Sequence, residues 1–399
     1  MESGSGDRQQ GAAAALWVPS FDGIRGFVSL SILLVHVQLA VGWAPNHEFP
    51  RALRSSWFFS IELLFLVGGF VALLPVVAYG AFRGARRYAI RRAGRLLPLY
   101  WVTIALAVVL GGLLRPVTGL DHPHDAGTVL LHLTFLQHLV IPFRSGFGVH
   151  GVVWTLTIVA CFYAAFALSA PWYLRHPLIG LGIALAIAVA WRTQVDILSR
   201  WYLQFPLFLS NFAIGMTAAW AYARLRRSRL HVDPTAATLA VLGAAGALIG
   251  LLYAAGLPIS RRENPFYYNE GVLLDLAVPT AFAILLVALP FTPRWFQWPA
   301  ANRVSRWLGD VSYGMFLFHF IAIWLVLRYV DIPRNGSVSS LLYLLALVLP
   351  ITLTSAWLGT RYVESPLRHR AQALAERVGR RRASQAVPPA TQPAPAEAS

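Results

Sequence analysis

Residues 21–40 read FDGIRGFVSLSILLVHVQLA, an apolar run that carries two strongly polar side chains, Arg25 and His36. A helix needs about 20 predominantly apolar residues to cross the hydrocarbon core of a bilayer. The run is continuous and does not alternate between apolar and polar residues, which favours a helix over a barrel strand. Because ionisable groups inside a membrane helix are costly, both side chains are candidates for a functional role.

Similar apolar runs continue along the chain of 399 residues, of which 57% are hydrophobic and only 13% charged. A soluble domain carries roughly 25% charged residues, so the composition indicates lipid as the solvent. We predict an all-α, polytopic membrane bundle of about ten helices. The predicted spans are 22–43, 57–79, 95–114, 152–170, 178–196, 203–223, 235–256, 271–291, 309–330 and 338–360.

The spans predict one membrane domain over residues 19–370, flanked by two disordered tails. The N-terminal tail is 1–18, and the C-terminal tail, 371–399, begins basic and ends rich in Pro and Ala. The first span is too long for a cleavable signal peptide and has no small-residue cleavage site. The longest loop, roughly 115–150, contains LHLTFLQHLV, for which we predict a short interfacial or re-entrant helix.

All 33 basic residues are Arg, and the formal net charge is +16. Such a charge can indicate nucleic-acid binding, but these Arg residues lie mostly in short loops between apolar runs, as the positive-inside rule describes. About two thirds of them fall in the tails and in the loops after even-numbered spans. We therefore predict a multi-pass protein of a bacterial plasma membrane, in contact with membrane lipids, with both termini cytoplasmic and no nucleic-acid partner.

The first span carries a polar stripe. Arg25 and His36 are eleven residues apart, about three turns at 3.6 residues per turn, so they share one face of a helix. Asp22 and Ser29 fall on the same face. The stripe leads from the cytoplasmic surface to His36, about 16 Å deeper at ~1.5 Å per residue. The alternative is a His that only ties two helices together.

The second span brings in a carboxylate, Glu62, about five residues from its predicted outer end. His36 lies at a similar predicted depth, so the carboxylate is a candidate to orient the imidazole as a base. The alternative is that Glu62 faces the outer water.

Arg87, Arg91 and Arg95 recur at every fourth residue after the second span and share one helical face, with Arg92 beside it. A guanidinium can bond two phosphate oxygens at once, so this face suits a nucleotide phosphate ligand such as that of CoA. The alternative is contact with anionic lipid and a signal for membrane topology.

Several motifs follow one another along the chain. They are DGIRG (22–26) with His36, IELLF (61–65) with GGF (68–70), the Arg-rich segment ending in Pro98, Tyr100 and Trp101, SYG (312–314) with His319, and ESP (364–366). In these motifs, over roughly residues 19–370, the chain resembles the membrane-bound acyltransferase family 3. That family contains the O-acetyl- and O-acyltransferases that modify bacterial glycans, lipids and secondary metabolites.

Two positions depart from the family pattern. Gly68 stands where a serine is usual, and residues 154–159 read WTLTIV where the family commonly has WSLSVE. Val159 therefore replaces a carboxylate, although the aromatic pair FY still follows at 162–163. Glu62 is the carboxylate left to take over that role.

The resemblance implies an enzyme that transfers an acyl group, acetyl or another short one, from acyl-CoA to a hydroxyl of a saccharide, glycolipid or secondary metabolite. His36 is the implied base or acyl carrier. The implied catalytic residues are His36, Arg25, Glu62 and His319. The implied CoA-binding residues are Arg91, Arg92, Arg95 and Tyr100, and those for the acceptor are Trp154, Thr157, Tyr163, Ser312 and Tyr313. Acyl-CoA is a co-substrate here, so no permanently bound cofactor is expected.

Other interpretations of these residues remain open. Buried polar residues in a helical bundle also suit a transporter or flippase of a glycosylated or lipid-linked molecule. Val159 alone supports a degenerate, non-catalytic family member. His319 suits a structural hydrogen bond nearly as well as donation to the thioester oxygen. A metal site is not expected, because the His and Asp residues of 121–125 lie in a loop and His132 and His138 are spaced poorly for one helix.

Overall fold

A computed structural model of the chain describes residues 16–42, 48–113, 126–140, 150–196, 199, 201–228, 231–256 and 272–385. Its α-helices, numbered in chain order, are α1 Pro19–Ala40, α2 Glu48–Tyr79, α3 Ala85–Leu113, α4 Ala126–Leu133, α5 Gln137–Val140, α6 Trp154–Arg175, α7 Pro177–Gln194, α8 Phe205–Arg227, α9 Pro234–Gly256, α10 Val272–Ala288, α11 Arg294–Ala301, α12 Arg303–Tyr329, α13 Val338–Gly359 and α14 Ser365–Gln385. The all-α membrane fold is confirmed.

A helix lies at each of the ten predicted spans. Within the described residues, eight candidates are long and apolar enough to cross a bilayer. The exceptions are α8, which buries Ser210 and Asn211 among its neighbours, and α10, which is only 17 residues long before a 3₁₀ turn. In both, packing against other helices compensates for what the sequence lacks in length or hydropathy.

The helices begin where the sequence contains a suitable first residue or cap. Pro19 and Pro177 occupy the first turns of α1 and α7, where a missing N–H costs nothing. Asn302 caps α12 by accepting a hydrogen bond from Ser305 N at 2.9 Å, and Ser337 caps α13.

Helices α1 and α12 run parallel and in close contact. Arg25 contacts Ser312 near their beginnings, and His36 contacts His319 further along. Glycine makes the approach possible: a Cβ on Gly26 would lie 2.7 Å from the Cβ of Leu308, and one on Gly309 would collide with the carbonyl of Asp22. Small residues at such a crossing are typical of membrane helices, where dispersion contacts drive the packing.

The long loop forms two short helices, α4 and α5, against the bundle. The Tyr100 hydroxyl donates to the carbonyl of His132 at 2.6 Å, and His138 Nε2 bonds the carbonyl of Leu203 at 2.6 Å. Phe135, which joins the two helices with a φ of 60°, stacks on Tyr100 at 4.3 Å. The predicted short helix in this loop is confirmed, as a broken pair.

The helical chain does not stop where the last predicted span ends, at residue 360. A π-turn over Thr360–Glu364 continues directly into α14. Pro366, which cannot donate a backbone hydrogen bond to the preceding turn, explains why the α-helical ladder is interrupted here. Residues 371–385 are helical, which revises the predicted disordered tail, because Ala375 is fully buried and Ala371 packs on Gly94 of α3.

The contact between α1 and α12 predicts the effect of a single added methyl group. Gly309→Ala should reduce the free energy of unfolding by about 1–3 kcal/mol, because an overpacked position forces the two helix backbones apart. The thermal midpoint of the purified protein in detergent should therefore fall. Gly243→Ala is the matched control, because nothing lies within 4 Å of a Cβ at Gly243. Equal midpoints for the two variants would contradict the described packing.

Candidate active site

A cavity of about 130 Å³, here called the inner cavity, lies between α1, α2, α3, α6 and α12. Its polar lining residues are Arg25, Ser29, Arg92, Arg95, Tyr163, Ser312 and Tyr313. Six of the predicted site residues, from four different helices, therefore lie together here with Ser29 of the predicted stripe.

Hydrogen bonds from two directions orient the Arg25 guanidinium in this cavity. Nη1 lies 3.3 Å from the Asp22 carboxylate, and Nη2 donates to Ser312 Oγ at 3.3 Å. Trp17 Nε1 in turn donates to the other carboxylate oxygen of Asp22 at 2.9 Å. Arg25 of the first span and the SYG motif are thus joined by a direct hydrogen bond.

Aromatic rings hold Arg92. Its guanidinium lies 5.1 Å from the ring of Tyr88 and 5.0 Å from the ring of Tyr163, and it donates to the carbonyl of Val71 at 3.4 Å. Such cation–π contacts keep an Arg positioned without neutralising it. The Tyr313 hydroxyl donates to the carbonyl of Leu96 at 2.8 Å, which fixes the opposite wall.

A second cavity of about 330 Å³, here called the arginine cavity, adjoins the first. Arg92 and Arg95 line both. The remaining Arg residues that line the arginine cavity are Arg83, Arg87, Arg91 and Arg368. The predicted Arg face of α3 therefore lines one side of a surface cavity that leads into the bundle.

His36 and His319 form a pair, with ring centroids 4.9 Å apart. His36 Nδ1 lies 2.8 Å from the carbonyl of Ile32, and His319 Nδ1 lies 3.1 Å from that of Met315. A carbonyl oxygen only accepts, so both Nδ1 atoms carry the proton and both neutral rings present Nε2 as a lone pair. Donation to a thioester oxygen, the role predicted for His319, requires that Nε2 carry a proton as well.

The inner cavity reaches towards the pair. Phe316 lines the cavity, and its ring lies 6.0 Å from that of His319. His319 Nε2 is buried without a hydrogen-bond partner among the described residues. His36 is partly exposed, whereas His319 is buried.

Glu62 does not share the depth of His36, and that prediction is wrong. Ser31 Oγ donates to Ser60 Oγ at 3.1 Å, which sets the register between α1 and the antiparallel α2. Glu62 therefore lies level with Ser29, about seven residues or ~10 Å from His36. The error arose because α2 begins at Glu48, well before the predicted 57. Glu62 is buried, and its Oε2 has no partner in the described chain.

Three more predicted residues lie away from both cavities. Tyr100 is fully buried and binds the loop helices, so it does not line the cavity at the Arg face. Trp154 lies at the start of α6, with its ring 5.1 Å from that of His138. Thr157 is buried, and its hydroxyl lacks a hydrogen-bond partner in the described residues.

His150 is a residue that the sequence reasoning missed. Its Nε2 lies 2.9 Å from the carbonyl of Leu317, and its ring stacks on Phe320 at 5.9 Å. Phe320 also meets His36 edge-on at 6.2 Å. Burial lowers the pKa of His150 to about 4, so the ring is neutral at neutral pH. His150 is a single His at the end of a loop, so no regular spacing to another polar residue marked it in the sequence.

Val159 lines the inner cavity. Asp and Glu are absent from the lining of both cavities, as far as the structure describes them. One of the carboxylates that offset this charge from nearby is Glu364, which interacts electrostatically with Arg95, Arg368 and Arg25.

The comparison with protein families decides how to interpret this geometry. A family model described as an acyltransferase domain matches residues 18–360. The chain belongs to the acyltransferase 3 family. No solved structure matches it significantly.

Two curated relatives of this acyltransferase 3 chain are bacterial. It is 24% identical over 371 residues to the peptidoglycan O-acetyltransferase OatA of Listeria monocytogenes, an alignment covering 88% of this chain and 56% of that protein. It is 25% identical over 378 residues to YrhL of Bacillus subtilis, for which peptidoglycan O-acetylation has been suggested, covering 88% and 55%. The chain thus spans about half the length of the curated relatives it matches.

Among the residues of this acyltransferase 3 chain that the structure describes, there is no group of three or more His, Cys, Asp or Glu side chains that could hold a metal ion. The His and Asp residues of 121–125 lie outside the described residues.

The position of Val159 in the inner cavity predicts that the fold tolerates a carboxylate at this residue. Val159→Glu should yield a monodisperse, folded protein in detergent, because the new charge faces Arg25, Arg92 and Arg95 in the cavity. Ile158→Glu, one residue away and fully buried in the apolar core, should fail to fold, since an unpaired buried charge costs several kcal/mol. The reverse order of yields would show that Val159 does not face the Arg residues.

Proposed function

We propose that this chain is an O-acyltransferase of a bacterial plasma membrane, which transfers an acetyl or other short acyl group from acyl-CoA to a hydroxyl. The observation that supports this most is that the two cavities share Arg92 and Arg95 as lining residues, and that Phe316, which lines the inner cavity, contacts His319. The guanidinium groups lie at one end of this path and the imidazole rings near the other. This arrangement suits a donor that carries phosphates at one end and a thioester at the other.

The phosphates of the donor would bind at Arg91, Arg92 and Arg95, whose planar guanidinium groups match phosphate oxygens. The pantetheine arm then runs through the inner cavity past Arg25 and Ser312. Both walls of this passage are fixed by hydrogen bonds, which favours a defined path for the thioester. In the predicted orientation this entry faces the cytoplasm, where acyl-CoA is made.

His36 is the proposed general base. Its Nε2 takes the proton of the acceptor hydroxyl, and the hydroxyl oxygen attacks the thioester carbonyl. The tetrahedral intermediate collapses by breaking the C–S bond, and the proton on His36 passes to the departing CoA thiolate. The His319 ring, with its centroid 4.9 Å from that of His36, is the neighbouring group proposed to stabilise the His36 imidazolium. Prior transfer of the acyl group to His36 Nε2 is the variant of this scheme in which an acyl-enzyme forms.

The proposed acceptor is a hydroxyl of a saccharide, glycolipid or glycosylated metabolite that enters from the side opposite the Arg face. Trp154 and Thr157 lie on α6 towards that side. The relatives' names favour a glycan. A transporter or flippase remains the second candidate, because a polar tract through a helical bundle also suits transport.

Removal of the base tests the proposal. Membranes that contain His36→Ala should transfer label from isotope-labelled acetyl-CoA to a panel of hydroxylated acceptors at least ~100-fold more slowly than wild type, the scale of general base catalysis. His176→Ala, an exposed His between α6 and α7, is the matched control and should keep full activity. Equal label transfer by His36→Ala, or none by wild type with any acceptor, would turn the interpretation to transport or a degenerate member.

Loss of a phosphate contact should affect donor binding selectively. Arg95→Ala should raise the KM for acetyl-CoA roughly 10- to 100-fold, since a charge-assisted hydrogen bond contributes about 1.5–3 kcal/mol. S-acetylpantetheine carries the same thioester without the nucleotide, so its KM should not change. Equal losses with both donors would place Arg95 at the reacting group instead.

A further inference from the structure

Helix α14 forms one wall of the arginine cavity, although it lies beyond residue 360, where the family match ends. Arg368, His369 and Gln372 face the cavity from this helix. The helix packs along α3: a Cβ on Gly94 would collide with that of Ala371, and one on Gly379 would lie 3.3 Å from Arg87 Nη1. The wall is therefore closely packed.

The charge of the cavity is unbalanced. Its lining in the described chain contains six Arg residues and no carboxylate. Two acids that pair with its Arg residues come from the π-turn after α13 and from α14. Glu364, itself 1% exposed, accepts from Arg368 Nη1 at 3.5 Å, and Glu376 lies 3.8 Å from Arg91 Nη2. So many guanidinium groups around one surface cavity fit an anion with several charges.

The two ion pairs differ in environment. The Glu364 carboxylate is buried, so it fixes Arg368 in place at the cavity wall. The Arg91–Glu376 pair is long, and its side chains are 35% and 41% exposed. An exposed pair of that kind is weak and easily exchanged for a better anion. A phosphate, which bonds a guanidinium through two oxygens, is such an anion.

The cavity also has a direction. Arg87 and Arg95 are eight residues apart on α3, or ~12 Å at 1.5 Å per residue. Arg92 and Arg95 stand at the end shared with the inner cavity, and Arg83 and Arg87 at the other. A diphosphate can therefore bind at Arg92 and Arg95, next to the pantetheine passage. A further phosphate can bind at the other end, near Arg83 and Arg87.

We propose that α14 is part of the donor site, with Arg368 and His369 binding nucleotide phosphates and Glu376 occupying Arg91 until a phosphate displaces it. The inference rests on the proposed function, since it takes acyl-CoA as the phosphorylated ligand. It adds to that function a set of binding residues outside the matched domain and an acidic residue that competes with the ligand.

The proposal predicts effects of opposite sign from two residues of one helix. Arg368→Ala should raise the Kd for acetyl-CoA at least about tenfold, because it removes a phosphate contact. Glu376→Gln should lower that Kd several-fold, because Arg91 no longer has a competing carboxylate. Arg377→Ala, on the exposed side of α14, is the control for net charge and should leave the Kd unchanged. The KM for S-acetylpantetheine should be the same in all variants.

The measurement is binding of labelled acetyl-CoA to the full chain in phosphatidylcholine nanodiscs, with Arg95→Ala alongside. If wild type binds and Arg95→Ala does not, while Arg368→Ala and Glu376→Gln match wild type, the role of α14 is overturned and the proposed function stands. If both α14 variants bind more weakly and also lose turnover with S-acetylpantetheine, α14 is only structural and the inference fails.

Failure of wild type to bind acetyl-CoA would sink the proposed function itself. A further set of nanodiscs that contain phosphatidylglycerol tests the other source of phosphate. If that lipid binds in an Arg368-dependent manner and acetyl-CoA does not compete with it, the arginine cavity is a lipid headgroup site and the nucleotide assignment is overturned.

Discussion

The close contact between α1 and α12 is the constraint on which the rest of the site depends. Gly26 and Gly309 remove the side chains that would separate the two backbones. As a result Arg25 reaches Ser312, and His36 lies beside His319. Neither pair forms if the helices move apart by the width of one methyl group. The two histidines, each committed to a backbone carbonyl one turn back, are then held with their lone pairs available.

Around this contact the chain concentrates positive charge and places little negative charge close to it. Tyr88 and Tyr163 hold Arg92 by their faces, which leaves its charge in place. Val159, which lines the inner cavity where the family commonly has Glu, removes one further acid. The carboxylates that remain nearby, Asp22 and Glu364, orient guanidinium groups from the side. The cavities are therefore suited to an anionic ligand.

Much of this architecture was predictable because lipid imposes strict rules on sequence. Spans about 20 residues long and costly polar groups inside them identify the helices, the stripe to His36 and the Arg face. Helix ends follow weaker rules. The predicted depth of Glu62 was wrong because α2 begins earlier than the sequence predicted. Tertiary packing decided the rest: Tyr100 binds a loop helix, His150 comes from a loop, and α14 is ordered by its contact with α3. None of these contacts has a periodic signature.

The hydrogen bond between Arg25 and Ser312 joins residues 287 positions apart. During synthesis the first helix therefore enters the bilayer long before its partner exists, carrying a guanidinium with only Asp22 to offset it. Contacts so distant in sequence form late. The biogenesis of this protein thus has a period in which α1 must be retained in the membrane by the insertion machinery or by lipid, and the contact between Arg25 and Ser312 forms only after α12 has been translated.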